Sequence, residues 1–274
     1  MTLAGGADGV IGDEDCDTRT RSLKVEYTIS TVLILALDTT TRSGSVAVTD
    51  DDRVLAVLAG DESRTHGERL PGEIAAALDR AGIARGQLDL LAVAAGPGGF
   101  TGLRIGLATI QGLAMTLNKP VAGVSTLDAL AAQVVDANAS FVVPWMDAQR
   151  GDVFATVIDG ASTQTVESAV AEHPRSVLER WRSRLSGHPA IFIGDAVSRD
   201  ADLIARLGAG AWTIRTPGPL APQVAQLGRE LARQGRAGRP HALTPVYVRR
   251  PDAEIERERR TAKGADGADG SHPD

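Results

Sequence analysis

Apolar residues in this chain fall into short continuous runs and into stripes spaced three or four positions apart. The first run, VLILALD (Val32 to Asp38), is apolar throughout and closes on a carboxylate. A run without polar alternation reads as a strand covered on both faces. After the turn TTTRSG come two more strand-like runs, SVAVTD and RVLAVLAG, separated by the turn DD. Leu70, Ile74, Leu78 and Ala81 then lie four, four and three residues apart, a helical stripe that Gly82 stops. LDLLAVAAG predicts a fourth strand, and Phe100 to Leu117 a second helix ended by NKP.

The same order then recurs. FVVPWMD (Phe141 to Asp147) is an apolar run ending in Asp, AQRG a turn, and DVFATVID and TQTVESAVAE are strands. PRSVLERWRSRL follows as a helix, AIFIGD as a strand and SRDADLIARLG as a helix. Asp38 and Asp147 hold equivalent places in the two copies. Two copies of β-β-β-α-β-α predict an α/β protein of two similar ribonuclease-H-like lobes, each with a mixed β-sheet, facing each other across a cleft. This is the actin, hexokinase and Hsp70 architecture. The expected division is a disordered extension at 1–30, an N-terminal lobe at 31–120, a C-terminal lobe at 121–250 and a disordered polar tail at 251–274.

Composition narrows the class. Of the 274 residues 43% are apolar, enough for a large core, and only 3% are aromatic. Few rings and a net charge of −6 argue against a broad grip on nucleic acid by stacking or by charge. Cys16 is the only cysteine, which excludes an intrachain disulfide and a cysteine zinc cluster. No run is long enough to cross a bilayer, and the first residues lack a signal-peptide core. A cytoplasmic protein with no membrane partner is expected.

In a two-lobed fold of this kind nucleotide lies between the lobes, and a strand-end Asp holds Mg²⁺ or the attacking group. Asp38, Thr39 and Asp147 are therefore the cleft candidates. Their hairpins are poor in glycine: DTTTRSG reaches Gly44 six residues after Asp38, and DAQRG is little better. The scaffold of a nucleotide cleft is expected, with a weak triphosphate grip. The stretch AGPGGFTGLRIG (Ala95 to Gly106) is the richest in glycine. It is no P-loop, since no Lys-Ser or Lys-Thr follows, and Gly96, Gly98 and Gly102 do not have dinucleotide spacing. It reads as a sharp turn at Gly96, Pro97 and Gly98, with Thr101 able to cap a helix whose Gly102 and Gly106 leave one face flat. Anion binding at that helix N-terminus is the competing reading. None of the five histidines has a His partner at helical metal-pair spacing, and no G-x-S-x-G elbow occurs. No catalytic and no metal-ligating residue is predicted.

LALDTTTRSGSVAV, GPGGFTGLRIGLATIQGLA, VSTLDALAAQ, MDAQRGDVFAT and PVYVRR together resemble the TsaB family, also called YeaZ, over about Val32 to Arg250. Gly99 stands where the family usually has Ser, and the extension ahead of Val32 is unusual for it. The resemblance implies a non-catalytic partner in making threonylcarbamoyladenosine at position 37 of tRNAs that read codons starting with A. It also implies kinship with the transferase TsaD, which carries two metal-binding His four residues apart on its first helix. Here His66 is followed at that spacing by Leu70.

The implied partners are TsaD, bound lobe to matching lobe, and the ATPase TsaE, with tRNA reached through the complex and a homodimer when the chain is alone. The family's dimer surface is built by the first two helices. Leu70, Ile74 and Leu78 on one, with Arg104, Leu107, Gln111 and Met115 on the other, are the expected interface. In this reading Gly102 and Gly106 keep the second helix shallow for a partner helix. Leu103, Ile110 and Leu113 form an equally apolar opposite stripe, and the pattern leaves open which stripe turns outward. The chain requires no cofactor of its own, and weak nucleotide at the cleft or partner junction stays open. The alternative is an active enzyme of the same fold, a small-molecule kinase or a TsaD-like transferase.

Overall fold

The computed structural model describes residues 31–134 and 138–249. The predicted extension at 1–30 and the tail at 251–274 lie outside the described residues. β1 (Leu33–Asp38), β2 (Ser45–Asp50) and β3 (Arg53–Ala59) form an antiparallel meander. α1 (His66–Ala81), β4 (Leu90–Ala94), α2 (Phe100–Leu117), β5 (Val121–Val124) and α3 (Thr126–Ala131) complete the first half. The second half starts with the meander β6 (Phe141–Asp147), β7 (Val153–Asp159) and β8 (Thr165–Glu172). It continues through α4 (Pro174–Leu185), β9 (Ala190–Ile193), α5 (Ala201–Gly208), β10 (Trp212–Arg215) and α6 (Ala221–Arg233).

Each half makes a five-stranded mixed sheet, with orders β3-β2-β1-β4-β5 and β10-β9-β6-β7-β8. These are the two ribonuclease-H-like lobes of the actin-, hexokinase- and Hsp70-like architecture. The repeat is longer than the hydrophobic pattern suggests. Each half carries one further strand and helix, β5–α3 and β10–α6; Gly123 interrupts the first of these strands and three of the four residues of the second are exposed, so neither stands out as an apolar run. A division at residue 120 therefore cuts in the wrong place, because β5 pairs in parallel with β4 as the edge of the first sheet.

The continuous apolar runs have the expected cause. On β1, Leu35 and Leu37 face a core shared with α1 and α2, while Ile34 and Ala36 face a second core on the other side of the sheet. That second core lies between the two sheets. It joins Ala92 and Val124 of the first lobe, Val142, Met146 and Ile193 of the second, and Leu127, Leu130, Val224 and Ala225 from α3 and α6. A third core, around Trp145, Trp181 and Phe192, holds α4 and α5 on the second sheet.

The last helix thus returns to the first lobe, where Arg229 ion-pairs with Asp51 and Asp52 in the β2–β3 turn. From there residues 240–249 run as a strap across both lobes. Gln111 donates to the carbonyls of Pro240 and Leu243, Val246 N–H to Ala95 O, and Arg249 to Ala148 O and Asp152. Among the described residues no helix is long and apolar enough to cross a membrane.

Candidate functional site

The interlobe cleft is where this architecture would place a nucleotide, so the ends of β1 and β6 come first. Asp38 is 1% exposed, and neighbouring groups fill its carboxylate. Thr40 donates its N–H at 2.8 Å and its hydroxyl at 2.5 Å to Oδ1, and the Thr41 hydroxyl donates to Oδ2 at 2.7 Å. The threonines after the Asp are therefore donors to it rather than a phosphate hairpin. Asp147 lies nearer solvent. It accepts from Arg199 at 2.8 Å and from the Gln149 side chain at 3.0 Å, while its N–H donates to Asp195. Solvent reaches Asp195, yet the protein around its carboxyl raises its pKa above the ordinary value, and the charges of Asp147 and Asp38 act in the same direction.

Asp38, Thr41, Gly44 and Asp195 line a cavity of about 230 Å³, and the loop Pro217–Leu220 forms another wall. That loop is held in place by the Gln133 amide, which bonds Gly218 N–H and the carbonyls of Gly218 and Pro219. Ala221 N–H donates to Ser45 of the first hairpin. The N–H groups of Thr40, Gly218 and Ala221 are thus spent within the protein. Among the described residues no group of three or more His, Cys, Asp and Glu converges as a metal site.

The glycine loop is built for close approach of protein to protein. Gly99 N–H, which a phosphate cradle would offer to its ligand, donates to Thr40 O at 3.0 Å. A Cβ on Gly98 would strike Thr40, one on Gly102 the Thr39 carbonyl, and one on Gly106 the Thr39 hydroxyl. Gly96 has φ +111°, and a Cβ there would lie 2.5 Å from Val246 O of the strap; its bond to Pro97 is cis. Gly102 and Gly106 are buried, so they admit the β1–β2 turn rather than a partner helix, which corrects the expectation for them. Thr101 is not the cap either, because Gly99 occupies the N-cap position.

His66 lies at the same junction. A carbonyl can only accept, so the 3.1 Å contact to Thr41 O assigns the proton to Nε2, and Nδ1 accepts from Arg69 at 2.8 Å. Burial first, then the Arg69 charge, lowers the His66 pKa below its ordinary value. Arg69 is buried at 3%, pairs with Glu73 at 2.7 Å and donates to the carbonyls of Arg42 and Ser43. Leu70, at the position of a second ligand four residues on, is 2% exposed and belongs to the first-lobe core.

A family model described as TsaD, tRNA N6-adenosine threonylcarbamoyltransferase, matches residues 57–191. An uncharacterized protein of Mycobacterium tuberculosis is 32% identical over 228 residues, covering 82% of this chain and 94% of that protein. The tRNA threonylcarbamoyladenosine biosynthesis protein TsaB of Bacillus subtilis is 29% identical over 223 residues, 81% of this chain and 96% of its own length. The solved structure of YeaZ from Pseudomonas aeruginosa superposes with a TM-score of 0.65 at 26% identity, covering 79% of this chain and 99% of that one.

The chain belongs to the TsaB/YeaZ family. Family membership directs attention to α1 and α2, and burial decides which of their faces is open. Leu70, Ile74, Leu78 and Leu107 are 2%, 6%, 3% and 5% exposed and form the first-lobe core with Leu103 and Ile110. As a directly presented surface those four are wrong: they carry the helices from beneath. Gln111 is half-buried and spent on the strap. Arg104 is exposed but turns to the strap, with its guanidinium 3.9 Å from the centroid of the Phe100 ring. Met115, 70% exposed, keeps its outward place. Ala108 and Gly112 of α2 are exposed as well, and so are Pro71 and Gly72 of α1. Cβ atoms added at Gly72 or Gly112 would meet nothing within 4 Å. The open face was legible only in part, because both stripes of α2 are apolar.

Proposed function

We propose that this chain is the non-catalytic scaffold and activating subunit of the assembly that places threonylcarbamoyl on N6 of adenosine 37 in tRNAs reading ANN codons. It pairs with TsaD through the outer face of α1 and α2, and the pair recruits TsaE. Names of relatives support the pathway: the Bacillus subtilis protein is called a tRNA threonylcarbamoyladenosine biosynthesis protein, and the matching family model is that of the transferase. The observation that carries the subunit role is the fate of the first helix. Where the transferase would need a second metal ligand, Leu70 is packed into the core, and the same helix turns Pro71 and Gly72 outward. Ala108 and Gly112, exposed on the same helix as Met115, suit the close approach of a partner helix. Alone, such a face suits self-pairing, so a homodimer belongs to the same reading. Weak nucleotide at the cleft or the partner junction is compatible with it, and the chain itself needs no cofactor.

The test uses the open face. Met115→Asp or Gly112→Asp should abolish co-purification with TsaD and the restoration of modified tRNA in a strain lacking this protein, while the melting curve stays that of the unaltered chain. Full restoration of threonylcarbamoyladenosine by both variants, measured by mass spectrometry of digested tRNA, would remove this face from the mechanism.

A further inference from the structure

The larger cavity between the lobes, about 270 Å³, takes no part in the pairing just described. Its walls are the glycine loop up to Phe100, the hairpin Asp147–Arg150 and the strap Val246–Arg249. Phe100 and Tyr247, 42% and 38% exposed, are the most exposed aromatic rings among the described residues. They touch one another at this mouth, with centroids 6.2 Å apart and planes 29° from parallel. Arg104 lies over Phe100 and reaches the Tyr247 hydroxyl at 3.4 Å, and no described residue forms an ion pair with it. The acidic groups nearby are matched within the protein: Asp147 by Arg199 and Asp152 by Arg249.

Leaving two stacked rings in water has a cost that a planar partner would remove. The volume is at the small end for a ligand site, enough for one flat group rather than a whole cofactor. Rings with arginines beside them are the combination that holds unpaired bases, stacking on the π-face while guanidinium groups meet phosphate. We propose that Phe100, Tyr247 and Arg104 form a stacking platform for one unpaired RNA base, so that this subunit contacts the tRNA directly. This rests on the reading above that the chain serves a tRNA-modifying assembly. It also refines the compositional argument, since one local platform is compatible with few rings and a negative total.

Fluorescence anisotropy of a short labelled oligoadenylate with the full chain at low salt tests this. Binding should weaken about tenfold in Phe100→Ala and in Tyr247→Ser and be kept in Tyr247→Phe, and added salt should weaken it further. Tyr247 is on the exposed strap, so Tyr247→Ser decides alone if Phe100→Ala does not fold. Oligoadenylate affinity unchanged in Tyr247→Ser, or absent from the unaltered chain, overturns the platform. AMP bound as tightly as the oligonucleotide makes it a free-nucleotide site instead, and loss of TsaD pairing with RNA affinity intact makes it a protein contact. Pairing of the unaltered chain with TsaD, measured alongside, shows whether the subunit role stands when the platform falls.

Discussion

The two lobes share one topology and use it differently. In the first, Asp38 is sealed by threonine donors, and the turn that carries it is clamped by α1 and α2 through His66, Gly102 and Gly106. In the second, Asp147 is held by a half-exposed arginine and by Gln149 of its own turn. The helices diverge in the same way. α1 and α2 turn Pro71, Gly72, Ala108, Gly112 and Met115 to solvent, whereas α4 presents Arg175, Glu179 and Arg180, which pair on the surface. Equivalent positions have thus become a rigid support for a surface that exposes small side chains and Met115 in one lobe and an ordinary solvated exterior in the other. The difference lies in which side chains meet the strand-end turn.

Exchanging small residues breaks the comparison most sharply. Gly106→Val should cost about 3 kcal/mol, because a side chain there overlaps the Thr39 hydroxyl. Gly112→Ala, six residues along the same helix, should stabilise the fold by about 1 kcal/mol, since it meets no neighbour and relieves a helical glycine. Urea midpoints measure both. Equal effects would mean that the two faces of α2 are not distinct.

The strand-end carboxylates come next. Asp38→Ala leaves the Thr40 N–H and two threonine hydroxyls without their acceptor in a buried site, at a cost of about 2 kcal/mol. Asp147→Ala removes one partly exposed pair and should cost less than about 1 kcal/mol. Similar losses in chemical denaturation would contradict the claimed asymmetry.

The smallest effect is a pH slope. His66 has a lowered folded-state pKa, so below about 6.5 the unfolded chain takes up a proton that native His66 resists. Stability should fall as pH drops through that value and level off below the lowered native one. His66→Gln should flatten this part of the profile; an unchanged slope would place its source elsewhere.

How much of this was legible in the sequence differs by level. β1 and β6 were readable because both faces of each are covered, so their apolar runs are unbroken. α1 and α2 were readable to their ends because Gly82 and Asn118 take left-handed conformations there. β5 and β10 were missed because Gly123 interrupts the one and three of the other's four residues are exposed, whereas β9, equally short, is buried throughout. The role of Gly102 and Gly106 was misread because it depends on Thr39, distant in sequence and adjacent in space. For the same reason Leu107 reads as a surface residue on a helix whose two stripes are both apolar. Arg199, Asp195 and the Phe100–Tyr247 pair went unnoticed, since lone charges and rings carry no spacing signal.

The central claim is that this chain supports a transferase and performs no transfer itself. Its most direct test is threonylcarbamoyl-AMP-dependent formation of threonylcarbamoyladenosine on unmodified tRNA, with TsaD and TsaE present and this chain added or withheld. Product should form only with all three, none with this chain alone, and the rate should collapse when Met115→Asp replaces the unaltered chain. Product from this chain alone, or an equal rate from TsaD and TsaE without it, would contradict the account.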